Sequence, residues 1–223
     1  KKSKIIAVPH STIRYWDLRY SNDLDKNKKY LYENFQPDFY AINGNDSFNK
    51  LKINGFPINK MKKVEALRYS SVVKKSFNNL NGQKNNKVLI VGDYAGESNF
   101  SLASALNNIN KNFLNKFSFT LKEHPLRNMS NLLKINFDET KKSISDLSTD
   151  YRFAIVSNTT SAVVDLYLLD FKIICVLDEN KINHSPLKGN PNVLFLHDKS
   201  LLIDYLEKLD KINFLDTKKT DFF

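Results

Sequence analysis

From residue 86 onward the chain alternates short, unbroken apolar runs with segments of helical periodicity, and very few folds accept that alternation. Lys87-Val88-Leu89-Ile90-Val91-Gly92 reads as a buried strand, followed by a helix with Ala103, Leu106 and Ile109 on one side. Further strands are expected at Phe117–Leu121, Phe153–Val156, Lys172–Leu177 and Val193–Leu196. Between the third and fourth strands a helix is expected over Thr159–Leu169. Its Ala162, Leu166 and Leu169 recur at i, i+4 and i+7 and give it one apolar face. A last helix begins near Asp198-Lys199-Ser200, with Leu202, Leu206 and Leu209 inward. Strands apolar on both faces belong in a mostly parallel sheet covered by helices on both sides. The fold class is therefore α/β, with a Rossmann-like domain over 87–215.

The region before it is less regular. It offers strands at Ile5–Val8 and Phe39–Asn43 and a helix over Asp46–Leu51. A Gly55-Phe56-Pro57 turn follows, and then a helix through Val64, Leu67, Ser71 and Val72. Residues 1–77 read as the C-terminal portion of a first α/β domain, 78–86 as an Asn-rich linker containing Gly82, and 216–223 as a tail. The opening Lys-Lys-Ser-Lys, without an initiator methionine, suggests a piece of a longer protein, and the apolar stretch after it is too short for a signal-peptide core.

Composition narrows the function classes. One cysteine, Cys175, excludes an internal disulfide framework and a cysteine zinc site, and suggests a reducing compartment. No run approaches the roughly 20 apolar residues that span a bilayer. The formal charge of +10 comes mostly from lysines among asparagines on solvated faces, such as Lys26–Lys29 and Lys62-Lys63. It also suits a phosphorylated substrate or peripheral contact with an anionic membrane face. No nucleic-acid motif or aromatic-basic platform is present.

Chemistry in a parallel sheet sits beyond the carboxyl ends of its strands. Three pieces of the sequence fall there. Gly92-Asp93-Tyr94-Ala95-Gly96 has glycines that permit close backbone approach ahead of a helix N-terminus. The other reading is a tight turn without a ligand. Lys122-Glu123-His124-Pro125 follows the second strand, and proline pushes His124 into an extended conformation aimed at the crevice. There it contacts a phosphate or protonates a leaving group, or is satisfied by its own loop. Ser157-Asn158-Thr159-Thr160-Ser161 holds more small polar residues than one helix cap requires, and its hydroxyls and amides suit an anion. An ordinary cap is the alternative. Asp23-Leu24-Asp25 reads as a solvated turn rather than a manganese motif, Cys175 as core, and His184 and His197 as surface residues.

His124-Pro125 followed by Ser157–Ser161 resembles the paired His-Pro and Ser/Thr-rich motifs of bacterial sialyl- and polysialyltransferases, capsule Kdo transferases and teichoic-acid polymerases, which are GT-B enzymes using CMP- or CDP-linked donors. The order of Val8–Asp17, Gly55-Phe56-Pro57, Val64–Tyr69 and Ser185–Gly189 is similar to that of surface-carbohydrate biosynthesis proteins. The resemblance implies a GT-B-like fold and metal-free, cofactor-free glycosyl transfer from a nucleotide sugar, CMP-linked by preference, in bacterial surface-polysaccharide synthesis. It implies that His124, Pro125, Ser157, Thr159, Thr160, Ser161, Gly92 and Asp93 hold the donor phosphate, with Lys122 and Glu123 either facing the nucleotide or on the surface. Arg14 or Arg19 would bind an acidic group bidentately, and Asp17 or His10 would activate the hydroxyl of a glycan or lipid-linked acceptor. The expected location is cytoplasmic, peripheral on the inner membrane. A GT-B enzyme has a full N-terminal domain before the His10 loop, so part of the acceptor side is expected outside these 223 residues. Two rivals stay open: a nucleotide-sugar epimerase of the same fold, and a non-enzymatic basic module binding polyanions.

Overall fold

The computed structural model describes residues 3–9, 12–20, 37–70, 72 and 86–208. His10, Asp23-Leu24-Asp25, Lys26–Lys29, Ser71, the linker at 78–85, Leu209 and the tail at 216–223 lie outside the described residues. The chain divides into two compact units, with the boundary at Ser70/Ser71.

The first unit holds a parallel sheet of β1 (Ile6–Ala7), β2 (Phe39–Asn43) and β3 (Met61–Val64), in that spatial order. Helix α1 (Gly44–Ile53) leaves directly from β2, and its end has a clear local cause. Gly55 takes φ +75°, the Phe56 amide donates to Leu51 O (3.0 Å) and the Gly55 amide to Lys52 O (3.1 Å). This Schellman arrangement satisfies the last carbonyls and turns Phe56 back onto Leu51 in a small core with Ile13, Tyr40, Ile42 and Met61. The helix expected from Val64 onward starts later. Met61–Val64 instead pairs in register with Tyr40–Asn43, Leu67–Tyr69 forms a 3-10 turn, and helical conformation begins at Ser70. Pairing with β2 outweighs the helical spacing of Val64 and Leu67, which are 39% and 74% exposed and have no helix face to bury.

The second unit is a six-stranded, wholly parallel sheet: β4 (Lys87–Val91), β5 (Ser118–Lys122), β6 (Asp138–Glu139), β7 (Phe153–Ser157), β8 (Lys172–Val176) and β9 (Val193–Leu196). Its helices are α2 (Gly96–Asn107), α3 (Lys111–Leu114), α4 (Ile144–Leu147), α5 (Ala162–Leu168) and α6 (Leu202–Lys208). Spatial order is β6-β5-β4-β7-β8-β9, so counted from β4 it runs 3-2-1-4-5-6. That is the dinucleotide-fold order, and its direction reverses between β4 and β7. Val88 to Val91 of β4, all of β7 and Ile173 to Val176 of β8 are buried, as continuous apolar strands demand. The edge strand β6 has two exposed acidic residues and no apolar signal, and sequence periodicity does not disclose it. Helix α5 starts at Ala162, three residues later than expected, because the polar residues before it form a turn bonded to the β4 loop. Among the described residues, no helix is long and apolar enough to cross a membrane.

Candidate functional site

The point of reversal between β4 and β7 is bridged by one carboxylate. Asp93, 6% exposed, follows β4 and accepts hydrogen bonds from the Ala95 amide (3.2 Å) and the Ser157 hydroxyl (3.1 Å). It also accepts from the Thr159 hydroxyl. Its backbone is held in turn: the Asp93 amide donates to Asn99 Oδ1 (2.7 Å) and Asn99 Nδ2 donates to Asp93 O (2.8 Å). Five hydrogen bonds from the start of α2 and the end of β7 thus converge on one residue, which fixes the two loops to each other. The Ser157 and Thr159 hydroxyls give their protons to Asp93. Thr160 Oγ1 accepts from the Ala162 amide at 3.4 Å, while the Ser161 amide and hydroxyl bond to no described residue.

The loop after β5 is equally built. One oxygen of Glu123 accepts from the Met129 amide (2.6 Å) and the Ser130 amide (2.7 Å), and the Met129 side chain is fully buried in the core. Beside Gly92, a Cβ would meet Met129 Sδ and Asn99 Oδ1 at 3.5 Å and Glu123 Cα at 3.7 Å, so protein atoms fill that space. Lys122 donates to Lys142 O at 2.8 Å. Lys122 and Glu123 are therefore engaged in shaping the loop. His124-Pro125-Leu126-Arg127 forms a β-turn, closed by the Arg127 amide donating to His124 O (3.0 Å), with proline at the second position where its fixed φ is favoured. His124 Nδ1 accepts from the Leu126 amide at 3.2 Å. A neutral imidazole with Nδ1 as acceptor carries its proton on Nε2, so the free ring nitrogen is a donor. A cleft of about 620 Å³ opens here, lined by Leu121 to Pro125 and Glu139 to Lys141. Its size is that of a small-molecule site.

Three groups were not singled out in the sequence, although one of them, Asn158, lies inside the Ser157–Ser161 motif. Asp178, 8% exposed, stands just beyond β8 as Asp93 stands beyond β4. Its Oδ2 accepts from the Ser98 hydroxyl (2.9 Å) and Asn158 Nδ2 (3.3 Å), while its Oδ1 is buried and accepts no bond from a described residue. Fully buried Asn158 also donates to Ile182 O (3.2 Å) and accepts from the His184 amide (3.0 Å), so it staples the β8 loop to the β7 turn. Arg127 is the third. The polar residue ending an apolar run was a usable signal for Asp178, but nothing local distinguishes Asn158 or Arg127. Below Ser157 lies Cys175, whose thiol is pushed well up by burial, with the Asp178 and Asp93 charges adding to it. It is a core residue, as expected.

The first unit holds Arg14, Asp17 and Arg19. Arg19 Nε and one terminal nitrogen contact the two Asp17 oxygens at 2.8 Å each. These bonds hold the Asp17 carboxyl below the usual aspartate range, against the opposing effect of burial. Arg14 is half-buried. Tyr15 and Trp16 pack edge to face at 4.8 Å.

No family model matches the sequence, and no curated protein is similar to it. Solved structures are. The UDP-GlcNAc 2-epimerase of Methanocaldococcus jannaschii, in complex with UDP-GlcNAc and UDP, matches with a TM-score of 0.57 at 12% identity over 97% of this chain and 65% of that one. The UDP-GlcNAc 2-epimerase of Neisseria meningitidis bound to UDP-GlcNAc matches with a TM-score of 0.56 at 12% identity, over 90% of this chain and 60% of that one. Anabaena HepE in complex with UDP and glucose matches with a TM-score of 0.50 at 12% identity, over 97% and 63%. The chain spans less than two thirds of the length of each. The class is thereby defined at the level of fold: GT-B-like α/β, with a Rossmann-like parallel-sheet domain preceded by a smaller α/β unit.

Proposed function

We propose that this chain is the nucleotide-binding half of a glycosyltransferase that moves a sugar from a nucleotide-activated donor, CMP-linked by preference, to a glycan or lipid-linked acceptor in bacterial surface-polysaccharide synthesis. The observation that carries the reading is the Asp93-clamped Ser157–Thr159 turn at the point of sheet reversal, with the His124 loop on the adjacent strand end. Nucleotides bind such crevices in open α/β sheets. Negative charge grows on the donor phosphate as the glycosidic bond breaks. His124 Nε2–H and the amide and hydroxyl of Ser161, which bond to no described residue, are donors available to that charge, a large contribution to catalysis where they reach it. Neither metal nor cofactor enters this scheme. A peripheral position on the inner membrane face accords with the net charge of +10.

The second reading, a nucleotide-sugar epimerase, is supported by the epimerase structures above and by two buried carboxylates, Asp93 and Asp178, at the strand ends. Product analysis with and without an acceptor separates the two. Transfer requires the acceptor, and epimerisation proceeds without it. Thermal stabilisation across CMP, CDP and UDP tests the shared premise, since a ligand bound only by the native state raises the apparent Tm. No saturable shift with any of them would overturn both readings. His124→Ala is expected to lower turnover by about 10²- to 10³-fold while changing stability by no more than about 1 kcal/mol.

A further inference from the structure

The turn that presents His124 also presents a cation. His124 and Arg127 face each other across an isolated antiparallel bridge, and directly opposed residues of such a bridge project their side chains from the same face. Arg127 is steered further. Its Nε donates to Tyr94 O at 3.2 Å, and its guanidinium lies 5.8 Å from the centroid of the Tyr94 ring. The same ring meets the His124 imidazole edge to face at 5.6 Å. Tyr94, itself 59% exposed, therefore touches both side chains. With Nε engaged, the two terminal nitrogens of Arg127 bond to no described residue, and a Cβ at Gly96 would stand 3.8 Å from Nη1. A guanidinium held by one nitrogen offers its remaining fork to a phosphate bidentately.

The charge balance at this end of the sheet calls for such a group. Asp93 and Asp178 put two buried carboxylates beside the point of reversal. Three of the nearby lysines are committed elsewhere, Lys122 to Lys142 O, Lys181 to Glu97 and Lys199 to Glu179, while Lys141 lines the cleft together with His124. The loop carrying Arg127 is pinned behind it by Glu123 and the buried Met129. The ordering cost of presenting the arginine is therefore met on folding rather than on binding.

We propose that Arg127 binds the donor phosphate, as a bidentate partner to the Nε2–H of His124 from the same β-turn. This rests on the nucleotide-sugar reading above. The test compares CMP, CDP and UDP with the bare nucleosides cytidine and uridine by calorimetry, on the wild type, Arg127→Gln and Arg127→Lys. Wild type is expected to bind nucleotides more tightly than nucleosides. Arg127→Gln is expected to lose about 10- to 100-fold of nucleotide affinity with nucleoside affinity unchanged, and Arg127→Lys to recover part of it as a point charge. Arg127 is exposed, so all three proteins are expected to melt alike. If Arg127→Gln keeps the full difference between nucleotide and nucleoside, the proposal falls and the functional reading stands. If the wild type binds no nucleotide, the functional reading falls and takes the proposal with it.

Discussion

The Thr159 hydroxyl donates to the Asp93 carboxylate from 66 residues away, across the point where the order of the sheet reverses. The bond joins two loops that share no local sequence signal. Asp93 is nearly buried and its acceptors are occupied by Thr159, Ser157 and the Ala95 amide. Removing the carboxylate would strand these donors. Asp93→Ala is expected to destabilise the domain by about 2–4 kcal/mol, as hydrogen bonds to a charged group are lost together. Thr159→Val should cost less, and the double mutant should show coupling of about 1–2 kcal/mol. Urea denaturation of the four proteins measures this. Additive effects would mean that the two side chains do not act as a unit.

Glu123 precedes the catalytic candidate His124, yet its carboxylate faces inward to two amides. Glu123→Ala is expected to cost about 2–3 kcal/mol and also to weaken nucleotide binding, because the turn that carries His124 and Arg127 loses its anchor. Glu123→Gln keeps a carbonyl acceptor and should retain more of both. Equal losses in the two variants would show that hydrogen bonding to this oxygen is not what holds the loop.

Asp17 gives a pH dependence with a definite sign. Hydrogen bonds from Arg19 lower its pKa in the folded chain, so the stabilisation is fully present above the unfolded value of about 3.9 and is lost as pH falls through the folded one. Arg19 is 74% exposed, so the energy involved is small. An NMR titration of the Asp17 carboxyl carbon is expected to show a midpoint below the ordinary aspartate value, returning upward in Arg19→Gln. An unchanged midpoint in the variant would refute the pairing.

Cys175 should behave as a reporter of unfolding. Its thiol is fully buried and its proton is held tightly, since burial disfavours the thiolate. Alkylation near neutral pH is expected to be negligible in the native protein and rapid in denaturant, with a rate that follows the unfolded population. Fast labelling of the native state would mean that β8 opens locally.

Much of the second unit was legible because its strands are apolar on both faces. Val88–Val91, Ile155 and Ile173–Cys175 cannot be placed anywhere but in a covered sheet, and turn residues bound each run. The first unit was harder. Val64 and Leu67 carry helical spacing, yet β3 forms because it completes the hydrogen bonds of β2, a demand that arises only once β2 exists. Edge strand β6 has no apolar pattern at all, and its only cause is the open side of β5.

The site divides along the same line. Local chemistry alone placed His124-Pro125, Gly92-Asp93 and Ser157–Ser161 at strand ends, since proline, glycine and small polar residues have meaning within a few positions of themselves. Which of these side chains would face outward was decided by partners distant in sequence. Thr159 turned to Asp93, Lys122 to Lys142 and Glu123 to Met129, while Arg127 was brought beside His124 by a turn and oriented by Tyr94, 33 residues earlier. Short-range sterics set the backbone and were readable from the chain. The pairing of polar groups depends on which loops the order of the parallel sheet makes neighbours, and that order exists only in three dimensions.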